Sequence, residues 1–209
     1  MTQLILGLIL FLGAHSVRIL ADGWRDQTIA AYGEKAFKGV YTLVAILGFY
    51  LLVVGYGEAR LQPLVLWNPP ILTKHISILL MLLSSILLIA TYIPRNHFKM
   101  RLKHPMVLSV KVWALSHLLA NGNLADLVLF GSFLIWAVLN FRSARARDRA
   151  LLLNLNVTEE AAGESIAESE SAHQPKLLST IITLVGGIAI WALITFVLHA
   201  KVVGVAPMG

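Results

Sequence analysis

The chain has 209 residues, of which 57% are hydrophobic and only 13% charged, and its mean hydropathy of +0.76 lies outside the range of soluble globular domains. The formal charge of +6 does not point to nucleic acid, because the basic residues cluster in short segments between apolar runs. The absence of cysteine excludes disulfides, thiolate metal sites, thiolate haem ligation and cysteine nucleophiles.

Six apolar runs follow one another: Leu4 to Leu20, Val40 to Val54, Ile76 to Ile93, Met106 to Ala120, Leu124 to Phe141 and Leu177 to His199. Each approaches the roughly 20 residues that cross about 30 Å of hydrocarbon. The expected fold is therefore all-α, a polytopic transmembrane bundle of about six spanning helices forming a single membrane domain over residues 1–209. The fourth run is the shortest and contains Lys111. The first run lacks a basic start, and His15 and Arg18 interrupt the place where a signal cleavage site would follow, so it reads as a retained helix.

Charge alternates between the loops. Arg18, Arg25, Lys35 and Lys38 mark the first, Arg95, Lys99, Arg101 and Lys103 the third, and Arg142, Arg145, Arg147 and Arg149 open the fifth. The second holds only Glu58, Arg60 and Lys74, and the fourth is no more than Asn121 to Asn123. The positive-inside rule then makes odd loops cytoplasmic and puts both termini on the opposite, periplasmic side. Asn154 to Lys176, with five glutamates and few large apolar residues, reads as a flexible cytoplasmic linker before the last helix.

Ionisable groups inside spans cost about 2.5 kcal/mol or more near the bilayer centre, so they mark partners or cavities. In the first run His15, Arg18 and Asp22 are spaced i, i+3 and i+7, one polar stripe; a snorkelling arginine with an acidic partner explains it as well as a site does. In the fourth, Trp113, His117 and Asn121 share a face while Lys111 lies on another, as in a helix enclosed by protein. Snorkelling accounts for Lys111, and an interhelical hydrogen bond competes with a ligand role for His117. In the last run Thr183, Gly187, Trp191, Thr195 and His199 recur at i+4, a pattern that helix packing also produces. His97 and His104 fall in the basic third loop, where headgroup contact suffices, and His75 and His173 carry no specific signal. Neutral imidazole ligates haem iron and several transition metals, and two facing helices with one histidine each would hold a haem. No helix carries a His-x-x-x-His or Glu-x-x-His pair, so zinc and di-iron sites lack support, as do phosphate loops and hydrolase triads.

The segments "LILGLILFLGAHSVRI", "GEKAFKGVYTLVAILGF", "LKHPMVLSVKVWALSHLLANGNLADLVLFGSFLIWAVL" and "LHAKVVGV" closely resemble the NnrU family of bacterial integral membrane proteins. The resemblance implies an inner-membrane protein associated with denitrification, that is with nitrite and nitric oxide metabolism. It extends to the plant zeta-carotene isomerase, a related membrane enzyme that holds haem b between two histidines. Carried over residue by residue, it implies haem b ligated by His15 in "AHSVR" and by His117, thirteen residues after His104-Pro105. Depth along straight helices offers other pairs, His15 with His104 and His117 with His199; Arg18, Lys111, Trp113 and Asn121 would support the site. Two readings compete with a haem-dependent isomerase-like or redox protein. "RLKHPMVLSV" resembles the Arg-x-x-His-Pro segment of isoprenylcysteine-type methyltransferases, although "FRSARARDRA" lacks their glutamate. A non-enzymatic accessory protein for denitrification reductases is the other.

Overall fold

The computed structural model describes residues 1–162 and 174–207. Among these the chain is helical, with one isolated antiparallel bridge, Val65 with Asn123. The helices are α1 (Thr2–Leu20), α2 (Asp22–Tyr32), α3 (Glu34–Leu61), α4 (Ile71–Tyr92), α5 (His97–Leu102), α6 (Pro105–Ala120), α7 (Leu124–Ala162) and α8 (Leu177–Leu193), the last continuing as a π-helix over Ile194–Val203. Five of them are long and apolar enough to cross a membrane: α1, α3, α4, α7 and α8 with its π continuation. The sixth, α6, has 16 residues and a length of about 24 Å, and it begins at Pro105, whose missing N–H costs nothing in a first turn.

All six run alternately between one basic end and one sparsely charged end. They pack in the order α3, α1, α7, α6, α4, α8. At the sparsely charged end Arg60 Nη1 donates to Val203 O at 3.0 Å, so the two extremes of this row meet there. Small residues set the closest approaches: a Cβ on Gly48 of α3 would lie 2.6 Å from Phe11 N of α1. Large apolar side chains elsewhere on these helices face outward, as a lipid solvent allows.

Two details depart from the sequence expectation. The basic loops contain the short helices α2 and α5, which hydropathy does not mark because they are polar. The stripe through His15, Arg18 and Asp22 is broken: α1 ends at Leu20, Ala21 adopts φ −143 and ψ 46, and Asp22 starts α2. Asp22 therefore does not continue the helical face on which His15 and Arg18 lie. Of the stretch expected as a linker, residues up to Ala162 continue α7, and 163–173 lie outside the described residues.

At the sparsely charged end, the segment 121–123 makes the tight turn its Asn-Gly-Asn sequence suggests. Gly122 O accepts from Leu66 N at 2.8 Å and from Trp67 N at 3.2 Å, and Leu124 N donates to Leu64 O at 2.9 Å. The two loops of that end are thus laced together by backbone. Below them a core forms from Leu4, Leu8, Leu52, Ala114, Ala125, Leu129 and Phe130.

Candidate functional site

His117 lies in the last turn of α6, where the helix presents it to α4 and to the π-helix. Its Nδ1 is 2.9 Å from Trp113 O, and because a carbonyl can only accept, Nδ1 carries the proton. In its neutral form this ring therefore has its lone pair on Nε2. Face contact with Phe130, centroids 4.4 Å apart and planes at 25°, fixes the ring orientation, and Trp113 flanks it at 5.2 Å. Trp113 itself is held between Phe130 and Phe133 of α7, at 5.1 and 5.4 Å.

His199 is on the π-helix and reaches the same cavity. Its Nδ1 donates to Val205 O at 2.6 Å, so the neutral form of this ring also has its lone pair on Nε2. π-Helical turns are frequent at functional sites, and here one changes where His199 points relative to the α-helical stripe read from spacing. The cavity between α4, α6, the π-helix and residues 205–207 has a volume of about 190 Å³ and opens on one side. Ser77, Ser116, Asn121 and Thr195 supply hydroxyl and amide groups; Ile78, Met81 and Ile194 supply apolar wall. Asn121 also closes α6, its Nδ2 donating to His117 O at 2.9 Å.

His15 occupies a different place. Its Nδ1 donates to Phe11 O at 2.7 Å, and its ring lies among Phe11, Tyr41 and Trp136, with centroids at 4.3, 5.4 and 6.2 Å. The indole N–H of Trp136 is buried and has no partner among the described residues. Trp136 and Phe130 are six positions apart on α7, about 9 Å along the axis and about 120° around it, so His15 and His117 approach α7 on different faces. Phe11 touches Phe133 at 5.9 Å, which links the two imidazoles through aromatic contacts rather than through one cavity. Arg18 lies one turn beyond His15, toward the basic end.

His104 is at that basic end too, with Nε2 2.8 Å from Asp148 Oδ2 and its ring edge-on to Phe141. Lys111 extends its ammonium toward the same Phe141, 6.0 Å from the ring centroid. His97 pairs with Thr180 Oγ1 at 2.7 Å and His75 with Ile71 O at 2.9 Å, while His173 lies outside the described residues. The candidates thus divide into His117 with His199 and Asn121 at one cavity, supported by Trp113, and His15, His104 and Lys111 elsewhere. No group of three or more His, Asp or Glu able to hold a bare metal ion occurs among the described residues.

Sequence reading passed over Asp126, which is 2% exposed yet fully partnered. Tyr56 Oη donates to Oδ1 at 2.5 Å, and Asn123 gives Oδ2 its Nδ2 at 2.9 Å and its backbone N–H at 3.3 Å. The signal was present: Asn123 followed three residues later by an acid is a capping box, and an acid in the first turn suits the helix dipole.

The donor chemistry of the cavity fits haem iron, which takes neutral imidazole Nε2 whose other nitrogen is held by a carbonyl. At about 190 Å³ the cavity is smaller than the roughly 300 Å³ of pockets that enclose a drug-sized ligand, so as it stands it does not enclose a haem macrocycle. The family described as NnrU protein matches residues 3–207, nearly the whole chain. Searches of the curated proteins and of the solved structures return no match.

Proposed function

The chain belongs to the NnrU family, and from that premise we propose that it is a haem-binding protein of the bacterial inner membrane, associated with nitrite and nitric oxide metabolism, in which His117 and His199 are the iron ligands. The observation that carries this reading is the pair of imidazoles lining one cavity, each with its Nδ1 proton committed to a backbone carbonyl. Trp113 O and Phe130 orient one ring, and Val205 O orients the other. Haem b, held by His117 and His199, would supply one-electron chemistry and affinity for a small diatomic ligand such as nitric oxide. Ile78, Met81 and Ile194 give the cavity apolar wall, while Ser77 and Asn121 would offer polar contacts to a small ligand.

An optical spectrum of the purified protein with and without dithionite tests the reading. A Soret band with the paired α and β bands of bis-histidine haem is expected, weakened in His117→Ala and in His199→Ala and retained in His15→Ala. Full haem occupancy in His117→Ala would sink the assignment. Loss in His15→Ala together with retention in His199→Ala would move the second ligand to His15.

A further inference from the structure

The side-chain hydrogens at the cavity are mostly spent on the protein's own carbonyls. Ser77 Oγ donates to Thr73 O at 2.8 Å and Ser116 Oγ to Trp113 O at 2.9 Å, so each hydroxyl keeps only lone pairs for a ligand. His117 and His199 give their Nδ1 hydrogens to Trp113 O and Val205 O, which makes Nε2 of each neutral ring an acceptor. The Nε2 of His117 has no partner among the described residues, yet the one side-chain nitrogen or oxygen there that is both sealed and unpartnered is Trp136 Nε1. The Nε2 of His117 is therefore open, and the open space that its ring lines is the cavity. Thr195, only 9% exposed, brings a hydroxyl to the same cavity that is likewise unpartnered among the described residues.

Charge and size narrow the occupant. No carboxylate lines the cavity, so a buried cation would lack a counter-charge, and the lone pairs turned toward it oppose an anion. Lys74 is exposed at the start of α4 and needs no partner there. An apolar cavity of about 150 Å³ takes up benzene, so about 190 Å³ leaves room for one ring with a small substituent. Ile78, Met81 and Ile194 offer such a ring apolar wall, and a thioether makes favourable contacts with aromatic groups. We infer that the cavity binds a neutral phenol, a single aromatic ring whose hydroxyl donates to His117 Nε2 and accepts from Thr195 Oγ1. The inference goes beyond the haem reading and does not rest on iron: both occupants need the same lone pair of His117, so they exclude one another.

The probes are para-fluorophenol and para-fluoroanisole, close in size, of which only the phenol carries a donor. Both are uncharged at neutral pH, as the phenol of tyrosine is. Fluorine NMR of the full chain in nanodiscs, corrected with empty nanodiscs of the same lipid, measures the binding of each. Saturable binding of the phenol, about fivefold tighter than that of the ether, is expected, the scale of one net hydrogen bond. His117→Phe keeps an aromatic ring without the acceptor and should bring the phenol down to the affinity of the ether. A second reading needs no variant: in nitrogen-labelled wild type the Nε2 resonance of His117 should move upfield, toward the hydrogen-bonded range, with the phenol and not with the ether. Equal affinities in the wild type, a preference kept in His117→Phe, no saturable binding, or an Nε2 resonance that the phenol leaves in place overturns the inference. So does a bis-histidine haem band at full occupancy that the phenol does not alter. The haem reading fails separately, when no Soret band is found while the preference for the phenol stands.

Discussion

Tyr56 on α3 donates its hydroxyl to Asp126 on α7 at 2.5 Å, joining residues 70 positions apart at the sparsely charged end of the bundle. Asn123 completes the shell of the carboxylate, so three donors converge on a side chain that is almost wholly buried. The pair ties the start of α7 to α3 directly beneath the laced loops, and beside the Phe130 ring against which His117 lies.

Removing the carboxylate strands the donors around it. Asp126→Ala is expected to destabilise the protein by about 3 kcal/mol, near the upper end for buried polar groups left unpaired. Tyr56→Phe should cost about 1 kcal/mol, because one donor leaves while Asn123 remains. Unfolding in mixed detergent micelles, followed by circular dichroism, measures both. Changes below about 0.5 kcal/mol for Asp126→Ala would show that the shell is not structural.

Helices α1 and α3 touch backbone to backbone at Gly48. A methyl there would lie 2.6 Å from Phe11 N and 3.1 Å from Leu10 Cβ, so even Gly48→Ala forces the helices apart. A loss of about 1 to 3 kcal/mol is expected, as for overpacked cores, with a larger one for Gly48→Leu. Thermal denaturation in detergent checks the order, and a stabilised Gly48→Ala would contradict the contact.

Gly122 lies against the carbonyl of Trp67, with no room for a side chain. Gly122→Ala should unlace the loops, giving faster amide exchange at Leu66, Trp67 and Leu124, whose N–H groups bond across that contact. Unchanged exchange at all three amides is the contrary result.

The His104–Asp148 pair at the basic end has side chains about one quarter exposed. Its loss in Asp148→Asn should lower stability only slightly, and the difference should shrink in high salt. Melting temperatures at low and high ionic strength measure it. A large, salt-independent drop in melting temperature would reveal a role beyond a surface pair.

Orientation is testable with reporter fusions. Alkaline phosphatase joined after Gly209 should be active and the same reporter joined after Lys103 inactive, if the basic loops follow the positive-inside rule. The reverse pattern would invert the assignment of sides.

Hydropathy and charge are properties of local sequence, and they were enough to place the spanning helices, the enclosed helix α6 and the turn at Asn121–Asn123. They could not show α2 and α5, since short polar helices at a basic end leave no hydropathic mark. Helical spacing put Asp22 on the face of His15 only because it assumes an unbroken helix, and Ala21 breaks it.

Which histidines face each other was a tertiary matter. The sequence by itself determined that His15 and His117 stand within apolar runs, where the bilayer penalises polar groups whatever the packing, while His104 falls in a basic loop and His199 at the end of the last run. It did not determine their partners. That depended on α7 lying between α1 and α6, which keeps His15 and His117 on different faces, and on the packing of α4 between α6 and α8. The π-helical continuation of α8 then brought His199 to the cavity of His117, and the same fold set Tyr56 against Asp126. Contacts between distant segments are fixed by the order and rotation of helices, and a one-dimensional pattern carries neither.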